Sequence, residues 1–429
     1  MNRPGCVIVA DLGFGDAGKG LVTDALCRRG ARWVVRYNGG AQAGHNVVTE
    51  DGRHHTFAQF GAGTFVPGVR TFLSRHMAVH PTGLLVEAMR LAQSGVADAL
   101  ERLYVSEGAL LITPVHQAAG RLREMARGFN RRHGSCGVGM GEAVADALKD
   151  PDAPRMRDLR DRRALRRKLA ENQARKRDEL AGILRDGPVE ERRWLFEPGL
   201  LDDWTDAAVT LPGRLKIVED SALGECLKEE TVFEGAQGVL LDEWHGFHPY
   251  TTWSTCTFDN ALELLKEQGY AGPVKRLGVL RSFMIRHGPG PFPTEDLALN
   301  VLPEPHNGNG LWQGKVRRGW LDFPLLRYAL AACGGADGLA LTHLDVLPRL
   351  QSWRAAMAYE NCSFSPSFGR DLAVSGERTR RLAQAMPHYG YLYSSAPKYM
   401  VRRVESLLGV PVAMTSSGPT AKDLIFLGS

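Results

Sequence analysis

The sequence predicts an α/β fold: a central, mostly parallel sheet flanked by helices, with helical insertions. Three observations carry that expectation. Residues Cys6 to Leu12 form a compact apolar run, followed by a Gly-rich turn and a helical pattern ending at Gly30. Trp33-Val34-Val35-Arg36-Tyr37 then reads as a second strand stopping at Asn38-Gly39-Gly40, which completes a βαβ unit and implies parallel strands. Later apolar segments at 230–233, 274–280, 338–342 and 410–414 each end in a polar or Gly-rich turn and read as further sheet strands.

Between these lies a highly charged stretch from Arg155 to about Arg185, with Leu and Ala at helical intervals. Mixed-sign charge on such a pattern reads as helices with a solvated face rather than a nucleic-acid arm. No Pro/Ser-rich linker and no internal repeat divides the chain, so the organisation expected is one large domain over residues 1–429 with a charged helical insertion at about 140–205.

The chain of 429 residues has 44% apolar and 24% charged residues, the balance of a globular protein with a sizeable core. Its 53 Lys+Arg against 48 Asp+Glu leave +5, which suits anionic small molecules and argues against a nucleic-acid partner. Seven scattered cysteines without a C-x-x-C pair favour reduced thiols, hence a cytoplasmic location. The N-terminal residues offer no signal-peptide core and no apolar run reaches membrane-spanning length, so no membrane association is expected.

Gly13-Phe14-Gly15-Asp16-Ala17-Gly18-Lys19 satisfies G-x-x-x-x-G-K directly after a strand and before a helix, the context of a phosphate cradle in a P-loop-type nucleotide-binding fold. Glycines let backbone N–H groups approach phosphate oxygens, the helix N-terminus adds positive potential and Lys19 adds a point charge. The next residue is Gly20, where an ordinary loop of this kind has a Ser or Thr for Mg²⁺. Asp16 is the replacement oxygen ligand, and a carboxylate there could also take a proton from a substrate.

Gly15-Asp16-Ala17-Gly18-Lys19-Gly20 resembles the G-D-E-G-K-G loop of the adenylosuccinate synthetase family. Val34-Val35-Arg36-Tyr37-Asn38-Gly39-Gly40-Ala41-Gln42-Ala43-Gly44-His45 is similar to that family's V-V-R-Y-Q-G-G-H-N-A-G-H. The resemblance continues through Phe233-Glu234-Gly235-Ala236-Gln237-Gly238-Val239-Leu240-Leu241-Asp242, Gly290-Pro291-Phe292-Pro293-Thr294-Glu295, Gly319-Trp320-Leu321-Asp322, Thr342-His343-Leu344-Asp345 and Ser416-Ser417-Gly418-Pro419. Each block is ordinary by itself; their shared order across nearly the whole chain is specific.

The resemblance implies a GTP-dependent ligase that phosphorylates the 6-oxygen of IMP or an IMP-like purine nucleotide and displaces phosphate with the amine of L-aspartate. It implies Asp16, His45, Lys19 and Gln237 as catalytic residues, with Asp16 removing the N1 proton and His45 donating to the transferring phosphoryl. GTP, as co-substrate, is assigned Gly15, Gly18, Lys19, Gly20, His45, Asp345, Ser416, Gly418 and Pro419, with Asp345 reading the guanine N1–H and 2-amino group. The nucleotide is assigned Asp16, Gln42, Ser135, Cys136, Gln237, Leu241 and Thr252, and the amino acid Lys315 and Arg317. Mg²⁺ is assigned Asp16 and the Gly44 carbonyl. The family implies a homodimer.

Departures cluster in the substrate half. Ala17 replaces a glutamate, Leu21 a lysine, Cys136 a threonine and Val138 an arginine, while Asp150 and Pro151 stand where an arginine is offered to the partner's nucleotide phosphate. Gln313-Gly314-Lys315-Val316-Arg317-Arg318 replaces T-G-R-R-R-R, and Lys315 lacks the two-pronged carboxylate grip of arginine. His343 replaces a lysine. A divergent paralogue using a modified nucleotide or another amine donor, a kinase stopping at phosphoryl transfer, and a non-catalytic GTP-binding module are the alternatives. A related variant uses dGMP and replaces the loop aspartate with a smaller residue; Asp16 disfavours it, because a 2-amino group would crowd the carboxylate.

Overall fold

The computed structural model describes residues 5–128, 131–184, 187–308, 312–366, 370–392 and 396–427. Its frame is a ten-stranded sheet. The apolar run after the N-terminus forms the strand Cys6–Asp11, almost wholly buried, as a strand covered on both faces must be. It pairs in parallel with Thr231–Glu234 on one side and Val274–Arg281 on the other. Beyond Val274–Arg281 come Gly338–Thr342, Val412–Ser416 and Leu424–Phe426; beyond Thr231–Glu234 come Trp33–Arg36, Arg70–Leu73, Leu103–Ser106 and Lys216–Val218. All of these pairings are parallel except the last on the C-terminal side, between Val412–Ser416 and Leu424–Phe426.

The sequence pattern places the four later strands to within two residues. Val412–Ser416 begins after Pro411 because that ring has no N–H to give to a ladder. The opening βαβ unit is parallel as expected, but its strands are not neighbours: Thr231–Glu234, nearly two hundred residues later, lies between them. This insertion brings Glu234 and the turn after it beside the phosphate loop.

The carboxyl edge of the sheet carries the loops of interest. Cys6–Asp11 opens into residues 12–18, Thr231–Glu234 into 235–241, Val274–Arg281 into 282–290, Gly338–Thr342 into 343–345 and Val412–Ser416 into 417–420. Open α/β sheets bind ligands along this edge.

The charged stretch folds as Met156–Arg160, a short 3-10 turn, and the helix Arg162–Leu180, capped by Asp161. Its face is less solvated than expected. Lys168, Asn172, Gln173 and Lys176 are buried alongside Leu165, Leu169 and Leu180. Lys176 stands 2.8 Å from Glu142 and 2.7 Å from Asp146, while Asp146 also meets His116 at 3.1 Å and Asn172 at 2.6 Å. Buried charge survives by pairing, so acids on the helix Met140–Lys149 explain how a polar helix packs inward. Among the described residues the cysteines are free, and no helix is long and apolar enough to cross a membrane.

Candidate active site

The phosphate loop is organised by an acid at the end of its own strand. Asp11, fully buried, accepts hydrogen bonds from the backbone N–H of Gly13 at 2.8 Å and of Ala17 at 2.9 Å, and its carboxylate pairs with Lys19 Nζ at 2.9 Å. Lys19 is therefore held against Asp11. The loop turns through left-handed backbone at Gly15, Asp16 and Gly18. For Asp16, with φ of 59°, this is uncommon outside glycine and fixes where its side chain emerges.

Gly20 has a packing reason. A Cβ there would lie 2.9 Å from the Asn46 carbonyl and 3.1 Å from His45 Cβ, so the glycine lets the strand His45–Val48 cross the first turn of the helix Lys19–Arg28. His45 thereby reaches the loop. Its Nδ1 stands 2.8 Å from Glu234 Oε1, Glu234 Oε2 also accepts the Ala62 N–H at 3.0 Å, and Arg36 Nε lies 3.8 Å from the same carboxylate. Burial, helped by the charges of Arg36 and Lys19, holds the imidazole below its usual range despite Glu234. A neutral imidazole donating through Nδ1 keeps its lone pair on Nε2, and that buried atom has no hydrogen-bond partner among the described residues.

On the other side the loop meets the turn after Thr231–Glu234. The Leu240 N–H donates to the Gly13 carbonyl at 3.1 Å, and a Cβ on Gly238 would lie 2.2 Å from that carbonyl. Gln237, with φ of 56°, is presented beside Gly15 and Gly39, and its Oε1 is buried without a hydrogen-bond partner among the described residues.

Asp16 faces His287, the last residue of the strand Met284–His287, with Oδ2 2.9 Å from Nε2. Burial alone would push the Asp16 carboxyl up; the hydrogen bond and charge of His287, with Lys19 and Arg281, outweigh it and leave the group below the usual carboxylate range. Arg281 also donates to the Asp16 carbonyl at 3.2 Å and pairs with Glu304.

A cavity of about 570 Å³ opens from this junction. Gln42, Ser135, Cys136, Gln237, Leu241 and Thr252, the residues expected around the nucleotide besides Asp16, all line it, with His287 and Arg286. The volume is that of an ordinary small-molecule site. Ser135 Oγ accepts the Gly137 N–H at 3.1 Å, and Cys136 Sγ accepts from Gln313 at 3.0 Å, its thiol pushed up to about 11 by burial. Val138 also lines the cavity, and Asp150 pairs with Arg175 at 3.3 Å.

The residues expected around guanine sit at the neighbouring strand ends. Asp345 is exposed in the 3-10 turn Leu344–Arg349 just after Gly338–Thr342. Thr342 Oγ1 donates to the Ala17 carbonyl at 2.7 Å, tying that strand to the phosphate loop. Ser416 donates to the Gly418 carbonyl at 2.8 Å, and a Cβ on Gly418 would strike Asp423 at 2.5 Å. Exposed Pro419 follows.

The pair expected for the amino acid divides. Lys315 is exposed, whereas half-buried Arg317 is engaged by neighbouring groups of the protein: Nε meets Glu295 at 3.0 Å and Nη1 donates to the Gly288 and Gly290 carbonyls at 3.0 and 2.8 Å. Asp11, Glu234 and His287 were not assigned roles from the sequence. Asp11 had a signal, an acid ending an apolar strand, and Glu234 sat inside a quoted block; His287 had none.

A phosphate loop joined to a small-molecule cavity through Asp16–His287 and Gln237, with a buried His–Glu pair packed on the helix that follows the loop, defines a nucleotide-dependent enzyme able to handle phosphoryl groups and protons together. The family model described as adenylosuccinate synthetase matches residues 8–425. The chain belongs to the adenylosuccinate synthetase family of GTP-dependent carbon–nitrogen ligases of purine biosynthesis, which act on small-molecule substrates. It is 33% identical over 437 residues to the adenylosuccinate synthetase of Proteus mirabilis, with 98% of each chain covered. Against that of Myxococcus xanthus it is 33% identical over 450 residues, again covering 98% of each. Among solved structures it resembles the fully ligated adenylosuccinate synthetase of Plasmodium falciparum, with TM-score 0.80, 21% identity and all of both chains covered. The cyanophage S-2L succinoaminodeoxyadenylate synthetase, solved with dGMP and dATP, is similar with TM-score 0.63 and 17% identity, covering all of this chain and 97% of that one. At those identities the two structures speak for the fold.

Proposed function

We propose that the enzyme joins the amine of L-aspartate to carbon 6 of IMP or an IMP-like purine nucleotide, with GTP converted to GDP and phosphate. The observation that carries this reading is one cavity lined by six of the seven nucleotide-assigned residues and linked to the seventh, Asp16 of the phosphate loop, through His287. Asp16, ionised near neutral pH, takes the N1 proton; the 6-oxygen then attacks the γ-phosphorus of GTP and GDP leaves. His45, anchored through Nδ1 on Glu234, turns Nε2 to the transferring phosphoryl; the negative charge of the bound phosphates draws a second proton onto the ring, so that Nε2–H donates, and Gln237 pairs with the purine edge. In the second step the amine attacks carbon 6 and phosphate departs.

GTP is read by the same cradle: Gly15, Gly18, Lys19 and Gly20 at the phosphates, and Asp345, Ser416, Gly418 and Pro419 at guanine. Asp16 and the backbone carbonyl of Gly44, an exposed residue just before His45, offer hard oxygen donors of the kind that fit Mg²⁺. When bound, that ion neutralises phosphate charge. A homodimer in the cytoplasm belongs to this reading; exposed Leu148 and Trp253, the latter on the cavity wall, support the dimer.

One observation favours a second reading for the amine donor. Arg317 is committed to Glu295 and two carbonyls, and Lys315 cannot grip a carboxylate with two prongs. A donor without a second carboxylate suits that arrangement. Product analysis with IMP, GTP and each amino acid in turn tests both. Adenylosuccinate formed with aspartate alone supports the first, turnover with another amino acid supports the second, and a stable phosphorylated nucleotide without amine, or no turnover, rejects ligase chemistry on IMP.

A further inference from the structure

We propose that His287 is the positioning residue for Asp16: it aims the loop carboxylate at the substrate. The inference rests on the reading of Asp16 as the base and adds a residue to it.

The geometry is specific. Three groups flank the Asp16 side of the loop, and two are engaged elsewhere. Lys19 is held by Asp11 at 2.9 Å, and Arg281 pairs with Glu304 while touching Asp16 through the backbone carbonyl. Among the described residues, His287 is the side chain that takes up the Asp16 carboxylate, with Nε2 2.9 Å from Oδ2. An ionised carboxylate accepts only, so Nε2 must carry the hydrogen of that bond. The left-handed backbone of Asp16 fixes where the side chain starts; the histidine fixes where it ends.

His287 itself is placed by two structures. It pairs with Val316 in the two-stranded ribbon of Met284–His287 and Val316–Gly319, and it lines the cavity. The same ribbon carries Arg317, and the Gly288 N–H donates to the Lys315 carbonyl at 3.0 Å. The carboxylate is thus referenced to the wall on which the second substrate is expected. Asp16 and His287 keep 28% and 20% of their side chains exposed, so the pair sits at the cavity margin with room for a substrate atom.

The test compares His287→Val, His287→Gln and Asp16→Asn in the full-length enzyme, with kcat, both nucleotide KM values and melting temperature measured. Valine removes the donor; glutamine restores an N–H on a chain of similar reach. Expected is a kcat about 10- to 100-fold down for His287→Val, nucleotide KM values within threefold, an unchanged melting temperature, and recovery of most of the loss in His287→Gln. A second readout needs no turnover: in proton NMR of the unliganded protein, an imidazole N–H resonance absent from His287→Val shifts in Asp16→Asn. The proposal is overturned if His287→Val keeps kcat within twofold while Asp16→Asn loses it, or if kcat and all KM values collapse together without rescue by glutamine. Full activity of Asp16→Asn instead rejects the base assignment, and the NMR shift then decides whether the pair still exists in solution.

Discussion

Glu234 shows how much one side chain can hold. Its carboxylate receives His45, the Ala62 N–H and, more distantly, Arg36, all with essentially no water contact. Burial raises its pKa, but His45, through its charge whenever the ring is protonated and through its hydrogen bond, leaves it below the usual range together with the charge of Arg36. Replacing it with glutamine keeps the shape and removes the charge, stranding Arg36, whose Nε and Nη2 already have no hydrogen-bond partner among the described residues. Breaking a buried pair in this way costs about 3–5 kcal/mol. Glu234→Gln should therefore unfold at clearly lower urea, and its kcat should fall roughly 100-fold because His45 loses its fixed tautomer. Urea titration and steady-state kinetics check the two effects separately.

At the scale of elements, the helix after the phosphate loop and the hairpin strand bearing His45 touch because Gly20 has no side chain. Gly20→Ala must push the Asn46 carbonyl away, an overpacking that costs about 1–3 kcal/mol. Its larger expected effect is functional: His45 moves with that strand, so kcat/KM for GTP should drop more than the melting temperature suggests, measurable on one protein preparation. This contact also marks the limit of legibility. The motif around Gly13–Gly20, the parallel strands and the shared order of blocks are local patterns, and they fixed the fold class and the residues around the cavity. Gly20 was read as a missing metal ligand, whereas its space is needed by a strand that sequence does not place. Arg317 could be aligned but not followed to Glu295, and His287 touches Asp16 across more than 270 residues without a pattern to announce it. The helix Arg162–Leu180 looked solvated because its partners, Glu142 and Asp146, lie on another helix.

The whole molecule carries a pH signature. Burial lowers His80 to about 4, and holds His343 well below and His76 below the usual 6.5, with nearby arginines assisting in each case. A histidine kept neutral by the fold binds its proton more readily once unfolded. Between its folded value and 6.5 the unfolded state therefore takes up more protons, and stability rises with pH. Melting temperature should fall steadily from pH 7 to pH 5, before most carboxylates titrate; a flat profile across that window would contradict the burial of these rings. The central claim for the molecule is chemical: the 6-oxygen of the purine leaves on the phosphate. IMP labelled with ¹⁸O at that position, turned over with GTP and the amine donor, tests it by mass spectrometry of the released phosphate. One ¹⁸O per phosphate is predicted; unlabelled phosphate, with the label retained in the nucleotide, would contradict it.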